Sequence, residues 1–253
     1  MSYPFLIWTM RRTGGTTLAS LVMEMSEHLA TEHEPFNVDR KFGAITRDFR
    51  QRGDLAALRA GVDEALAPGR KIKHCHEIVP SALNRALMEA GERYGNRHVV
   101  LDRRNEVDRI VSLELAKITG AWGKEAADAN YQRIERGEIT LAPIELEAPL
   151  RHLELCRNRR QQLARLFEEF GVDPFVIHFE DVYGDFDAGR ARVQDLLAHL
   201  AIDRAAFPDY EKRVRDALLT RGQNTARITD FVPNISELRA RLEEAVARDP
   251  FSF

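Results

Sequence analysis

The chain has 253 residues, 44% of them hydrophobic and 30% charged, with 15 Gly and 10 Pro, a balance that excludes disordered and fibrous chains and allows one sizeable hydrophobic core. Its 37 Lys and Arg against 40 Asp and Glu leave a net charge of -3, too small for a global field that would draw nucleic acid or an anionic membrane, so any anion site must be local. Two cysteines, Cys75 and Cys156, are too few for a disulfide framework or a four-ligand zinc site and suit a reducing compartment.

In chain order, the first element is the apolar run Phe5 to Trp8, shorter than the roughly 7–15 apolar residues of a signal-peptide core. No other run approaches the roughly 20 apolar residues of a membrane span, so the expectation is a cytoplasmic chain without one. The run ends in Arg11-Arg12-Thr13-Gly14-Gly15-Thr16-Thr17, after which Leu18, Leu21, Val22 and Met25 recur at helical spacing, giving strand, glycine loop, helix. Residues 43–67 read as helix, Lys71 to Cys75 as a second strand after Gly69, and Pro80 opens another helix. His98 to Leu101 reads as a third strand, followed by a helix with Val107, Ile110, Val111 and Leu115 on its apolar face. The segment Gly120 to Pro149 is the least regular and is expected to hold a loop or lid. Residues 150–170 form one long polar helix, Pro174 to Phe179 a fourth strand, 187–200 and 210–219 two more helices, and a last helix follows Pro233. Strands alternating with helices predict an α/β fold, a parallel sheet with helices on both faces, over a single domain spanning 1–253.

The loop Arg12 to Thr17 carries the first chemistry. A strand that delivers a glycine turn to a helix N-terminus exposes backbone N–H groups at the positive end of the helix dipole, where phosphate or sulfate is favoured. Gly14 and Gly15 allow close backbone approach, Thr16 and Thr17 can add hydroxyls, and Arg12 a charged fork. The Walker pattern is absent, since no Lys precedes Thr16, and no G-x-G-x-x-G follows the strand.

This loop resembles the 5′-phosphosulfate loop of the sulfotransferases that use 3′-phosphoadenosine 5′-phosphosulfate (PAPS). Arg12, Thr13, Gly14 and Thr16 match it, while Gly15 stands where a hydroxyl residue is usual. In Arg103-Arg104-Asn105-Glu106-Val107-Asp108-Arg109-Ile110-Val111-Ser112, Ser112 lies about two helical turns beyond Arg104 at roughly 5.4 Å per turn. That spacing is similar to the family's 3′-phosphate segment and implies Arg104 and Ser112 as its ligands. Taken alone, a helix with charges at 106, 108 and 109 reads as a solvated face. Arg103-Arg104, the helix and Gly120-Ala121-Trp122 together resemble the bacterial branch that includes trehalose sulfotransferase.

In that branch a Glu after the first helix takes the proton of the acceptor hydroxyl, which implies Glu34 in Glu32-His33-Glu34-Pro35-Phe36 as the base, with His33 as the alternative. Pro35 and Phe36 could give that carboxylate an apolar wall. Lys73, in a Lys-x-His context similar to a family segment, implies a cation for the transferring sulfuryl group or a contact to the acceptor; in isolation it reads as a strand-end lysine in water. The catalytic set is thus Glu34, Arg12, Lys73 and His33. His74 and His76 alternate along the same strand, and no metal is expected there. His178 to Tyr183 resembles a family segment after the last core strand, with a structural role. Arg221, Gly222, Gln223, Asn224 and Arg227 lie where many members close over the nucleotide, and no cofactor role is assigned to them.

The implied activity is sulfuryl transfer from PAPS, with 3′,5′-diphosphoadenosine (PAP) as product, to a hydroxyl of a carbohydrate, glycolipid or other small acceptor chosen by loops such as 31–45 and 120–145. The alternatives are a P-loop small-molecule or nucleotide kinase and a non-catalytic PAPS-fold binding protein.

Overall fold

The structure, a computed structural model, describes residues 2–219, 224–250 and 253. In chain order the helices and strands are β1 (Phe5–Thr9), α1 (Gly15–Glu24), β2 (Leu29–Ala30), α2 (Gly43–Arg52), α3 (Leu55–Leu66), β3 (Arg70–Cys75), α4 (Ser81–Arg93), β4 (Arg97–Asp102), α5 (Glu106–Thr119), α6 (Lys124–Glu135), α7 (Glu147–Phe170), β5 (Phe175–His178), α8 (Phe179–Tyr183), α9 (Phe186–His199), α10 (Tyr210–Leu219) and α11 (Ile235–Arg248). They divide into two compact units, Met1–Asp102 with Arg159–Leu219 and Phe253, and Arg103–Asn158 with Thr220–Ser252.

The first unit is built on a five-stranded, all-parallel sheet in the order β2-β3-β1-β4-β5. Successive side chains of a strand point to opposite faces, and β1 divides accordingly. Phe5 and Ile7 join one core with Leu18, Leu21 and Val22 of α1 and Val193, Leu196 and Leu197 of α9. Leu6 and Trp8 join the other, with Val62 of α3, Leu83 and Leu87 of α4, and Leu163 and Phe167 of α7. Both faces are covered, which is why β1 reads as an unbroken apolar run instead of an alternating one.

From β1 the chain crosses through α1 to β2 and β3 on one side, then through α4 to β4 on the other. The loop after β1 therefore opens at the point where the winding reverses, outside the strands' C-terminal ends, the usual ligand position in open α/β sheets.

The second unit packs Val107, Ile110, Val111 and Leu115 of α5 with Ala127, Tyr131 and Ile134 of α6, Leu153 of α7, and Leu238 and Leu242 of α11. Its core contains α6, a helix that the sequence did not announce within 120–149, the segment read as the least regular. Three apolar side chains at spacing i, i+4, i+7 are enough to seat this short helix on a core, but they are too few to stand out among its charged neighbours.

Two other differences have local causes. The helix expected over 43–67 is two helices: Gly53 closes α2 with φ 67, and the Asp54 side chain restarts the chain by accepting from the Ala56 and Ala57 amides at 2.9 and 3.0 Å, an N-cap. The fifth strand, β2, is two exposed residues at the sheet edge, too short to leave a periodic signal.

Candidate active site

β1 ends at Thr9, whose carbonyl accepts from the His76 amide at 3.1 Å. The chain then turns sharply: the Thr13 hydroxyl donates to the Met10 carbonyl at 2.9 Å, and Arg12 and Gly14 adopt φ 69 and 75. For Arg12 that left-handed backbone is uncommon. The turn is anchored by Glu77, a buried residue just beyond β3, whose Oε1 accepts from the Arg11 amide at 2.6 Å and from Arg11 Nε at 3.0 Å. Nothing in the sequence singled out Glu77.

Gly14 caps α1 without any side-chain cap, so the amides of the first turn face forward without one. A Cβ on Gly14 would lie 2.6 Å from Phe179 Cδ2 and 2.9 Å from Tyr183 Cε2, so only glycine fits. Tyr183 Oη donates to the Gly14 carbonyl at 3.2 Å and also meets the Leu18 amide and the Thr17 side chain; burial pushes the phenol up to about 12 and keeps it protonated. The segment expected to have a structural role thus braces the loop directly. Thr16 is exposed at the helix start.

The departure at Gly15 has a physical reason. A Cβ there would lie 3.1 Å from both Lys73 Cε and Thr9 Cγ2, so the Lys73 stem takes the room a larger residue would need. Lys73 does not point to water: its side chain is 6% exposed, and Nζ donates to Glu34 Oε1 at 2.6 Å. The Glu34 amide donates in turn to the Lys73 carbonyl at 2.9 Å, Glu34 itself is left-handed at φ 57, and Pro35 and Phe36 beside it are buried. The carboxylate remains 25% exposed. Burial first, and then the positive charge of Lys73, hold His33 below its usual range and hence neutral; its Nε2 lies 3.1 Å from Ser20 Oγ.

His74 and His76 belong to the core. Burial holds His74 down to about 4 and His76 to about 3, and His74 Nε2 meets Asn84 Oδ1 at 2.8 Å.

In the second unit Arg104 is exposed in the turn before α5, which Asn105 caps by accepting from the Asp108 amide at 2.9 Å. Ser112 is buried, its Oγ 3.2 Å from Thr225 Oγ1. The charged helix is not a solvated face: Arg109 is fully buried and donates to both oxygens of Glu106 at 2.7 and 3.2 Å. Arg227 forks onto Glu135 at 2.9 and 2.7 Å, while Arg221, Gly222 and Gln223 lie outside the described residues.

Within the first unit the fold thus brings Gly15, Lys73 and Glu34 into contact from three separate segments, with His33 in their field. Compared with known proteins, the chain matches no protein-family model and no curated sequence.

Proposed function

We propose that the chain is a sulfotransferase that moves the sulfuryl group of PAPS to the hydroxyl of a carbohydrate, glycolipid or other small acceptor. The observation that supports this most is the buried Lys73 ammonium, laid across Gly15 at the start of α1 and bonded to Glu34 at 2.6 Å. Sulfuryl transfer, like phosphoryl transfer, needs a positioned nucleophile, a proton acceptor and fixed positive charge more than covalent chemistry.

In this mechanism the amides of Gly15, Thr16 and Thr17, with Arg12, receive the anionic end of the donor. Lys73 balances charge on the transferring group. The acceptor oxygen attacks sulfur, its proton passes to Glu34, the bond from sulfur to the phosphate oxygen breaks, and PAP leaves. Arg104 and Ser112 carry the 3′-phosphate by resemblance.

A magnesium-dependent kinase would use a free carboxylate at the end of a core strand. Asp102, at the end of β4, is instead held in a buried two-pronged bond from Arg160 at 2.7 and 2.8 Å. Calorimetric titration should find tight binding of PAP and weak binding of ATP with Mg²⁺, and radiolabelled PAPS should transfer label to one of a panel of sugars, glycolipids and phenols. Tight ATP–Mg²⁺ binding without PAP binding makes the chain a kinase; PAP binding without transfer to any acceptor makes it a binding protein.

A further inference from the structure

The Lys73 ammonium has one hydrogen-bond partner among the described residues, Glu34 Oε1. An ammonium has three N–H donors, so two of them meet no acceptor among the described residues, on a side chain that is 6% exposed. Spare donors on a nearly buried cation are costly unless something anionic or polar meets them. The stem is guided past Gly15, with Cε 3.1 Å from where a Cβ would stand, so the ammonium belongs to the same corner as the uncapped start of α1. Glu34 reaches that corner with its own amide pinned to the Lys73 carbonyl.

We infer that Lys73 is a shared cation: an anion bound at the start of α1 draws it away from Glu34, so that the carboxylate becomes a competent base only when the donor is in place. The inference rests on the proposed transfer reaction and adds to it an order of events, donor first and then activation of the acceptor. Its physics is linkage. A carboxylate oxygen that already accepts from an ammonium is not open to an incoming hydroxyl, and a cation neutralised by a carboxylate attracts a second anion less. Whatever the bound anion does to the Lys73–Glu34 bond, the Glu34 charge must do to the anion's affinity, by the same factor. A base that stays bonded to lysine until the donor arrives also leaves the acceptor hydroxyl unactivated in its absence.

The test is a double-mutant cycle on anion binding, with inorganic pyrophosphate and PAP as the two probes in calorimetric titration and circular dichroism to verify folding. Glu34→Gln in the otherwise unaltered chain should tighten both probes by about 5–150-fold, the usual span of coupling between sites. In a Lys73→Met background the same substitution should change affinity by less than about twofold. Lys73→Gln serves as the second neutral background should Lys73→Met fail to fold. An unchanged affinity in Glu34→Gln, or an equal gain with and without Lys73, overturns the shared cation, because simple repulsion by Glu34 would act in both backgrounds. The pattern with pyrophosphate alone, without PAP binding, keeps the shared cation and removes the sulfotransferase reading. PAP binding and label transfer without the pattern do the reverse, and no binding of either probe removes both.

Discussion

Glu34 combines a left-handed backbone with a carboxylate held on Lys73, and its own carbonyl accepts from the Asn37 amide at 2.9 Å. Glu34→Gln keeps the size and these backbone bonds but cannot take a proton. In single-turnover assays with radiolabelled PAPS, the chemical step should slow by about 10²–10⁴-fold, the usual share of general-base catalysis. His33→Ala should leave far more of the rate; if the histidine variant is dead and the glutamine variant nearly normal, the base is His33. Gly14→Ala places a Cβ against Phe179 and Tyr183 at positive φ and should lower stability by about 1–3 kcal/mol, measured by urea denaturation. The glycine loop itself was legible in the sequence, because a strand, two glycines and a helix leave few alternatives. Why Gly15 lacks a hydroxyl was not, since the answer lies in Lys73, 58 residues further along the chain. Glu77 was likewise beyond reach, and His178 to Tyr183 was legible as a structural segment but not as a brace for this loop, because Glu77, Phe179 and Tyr183 act on it through contacts that only the folded sheet creates.

At the level of helices and strands, the sequence was most informative where burial is one-sided or complete. The stripe Leu18, Leu21, Val22, Met25 announced α1, and all four are buried. Strands β1, β3, β4 and β5 announced themselves through apolar or alternating runs, whereas β2 has no length with which to signal. On α7 the polar composition concealed a buried arginine. Arg160 and Asp102, with side chains 1% and 3% exposed, tie α7 to the end of β4 inside the first unit. Breaking such a pair from one side leaves an uncompensated buried charge, so Arg160→Met should cost about 3–5 kcal/mol, read as a lowered urea midpoint with an unchanged slope. A loss under about 1 kcal/mol would mean that Asp102 finds another partner or takes up a proton.

For the molecule as a whole, the composition located the chain among folded proteins, the alternation of strands and helices gave the α/β class that the parallel sheet shows, and no helix among the described residues is long and apolar enough to cross a membrane. The first unit's core carries three histidines that burial holds neutral: His74 near 4, His76 near 3 and His98 near 4. His98 accepts from Trp8 Nε1 at 3.0 Å through Nδ1 and meets Glu92 through Nε2 at 3.1 Å, so its neutral ring is satisfied on both sides. In the unfolded chain all three titrate near 6.5. Between 6.5 and about 4 the unfolded state therefore binds more protons than the folded one, and stability rises with pH across that window and is lost as pH falls through it. Each histidine contributes a slope of up to about 1.4 kcal/mol per pH unit. Urea midpoints should be flat above pH 7 and fall steeply from pH 6.5 to 4; a flat profile across that range would show that these rings are not held neutral.

Cys75 in the first unit and Cys156 in the second are both buried and in no disulfide, and burial, then Glu77, pushes the Cys75 thiol well above its usual range. Alkylating reagents attack the thiolate, so the native protein should resist iodoacetamide while the urea-unfolded chain labels at both positions. Because opening must precede reaction, peptide mass spectrometry of labelling over time yields a separate clock for each unit. Equal rates at the two thiols would mean that the units open together, whereas early modification of Cys156 with Cys75 still silent would mean that the helical unit opens while the sheet stays closed.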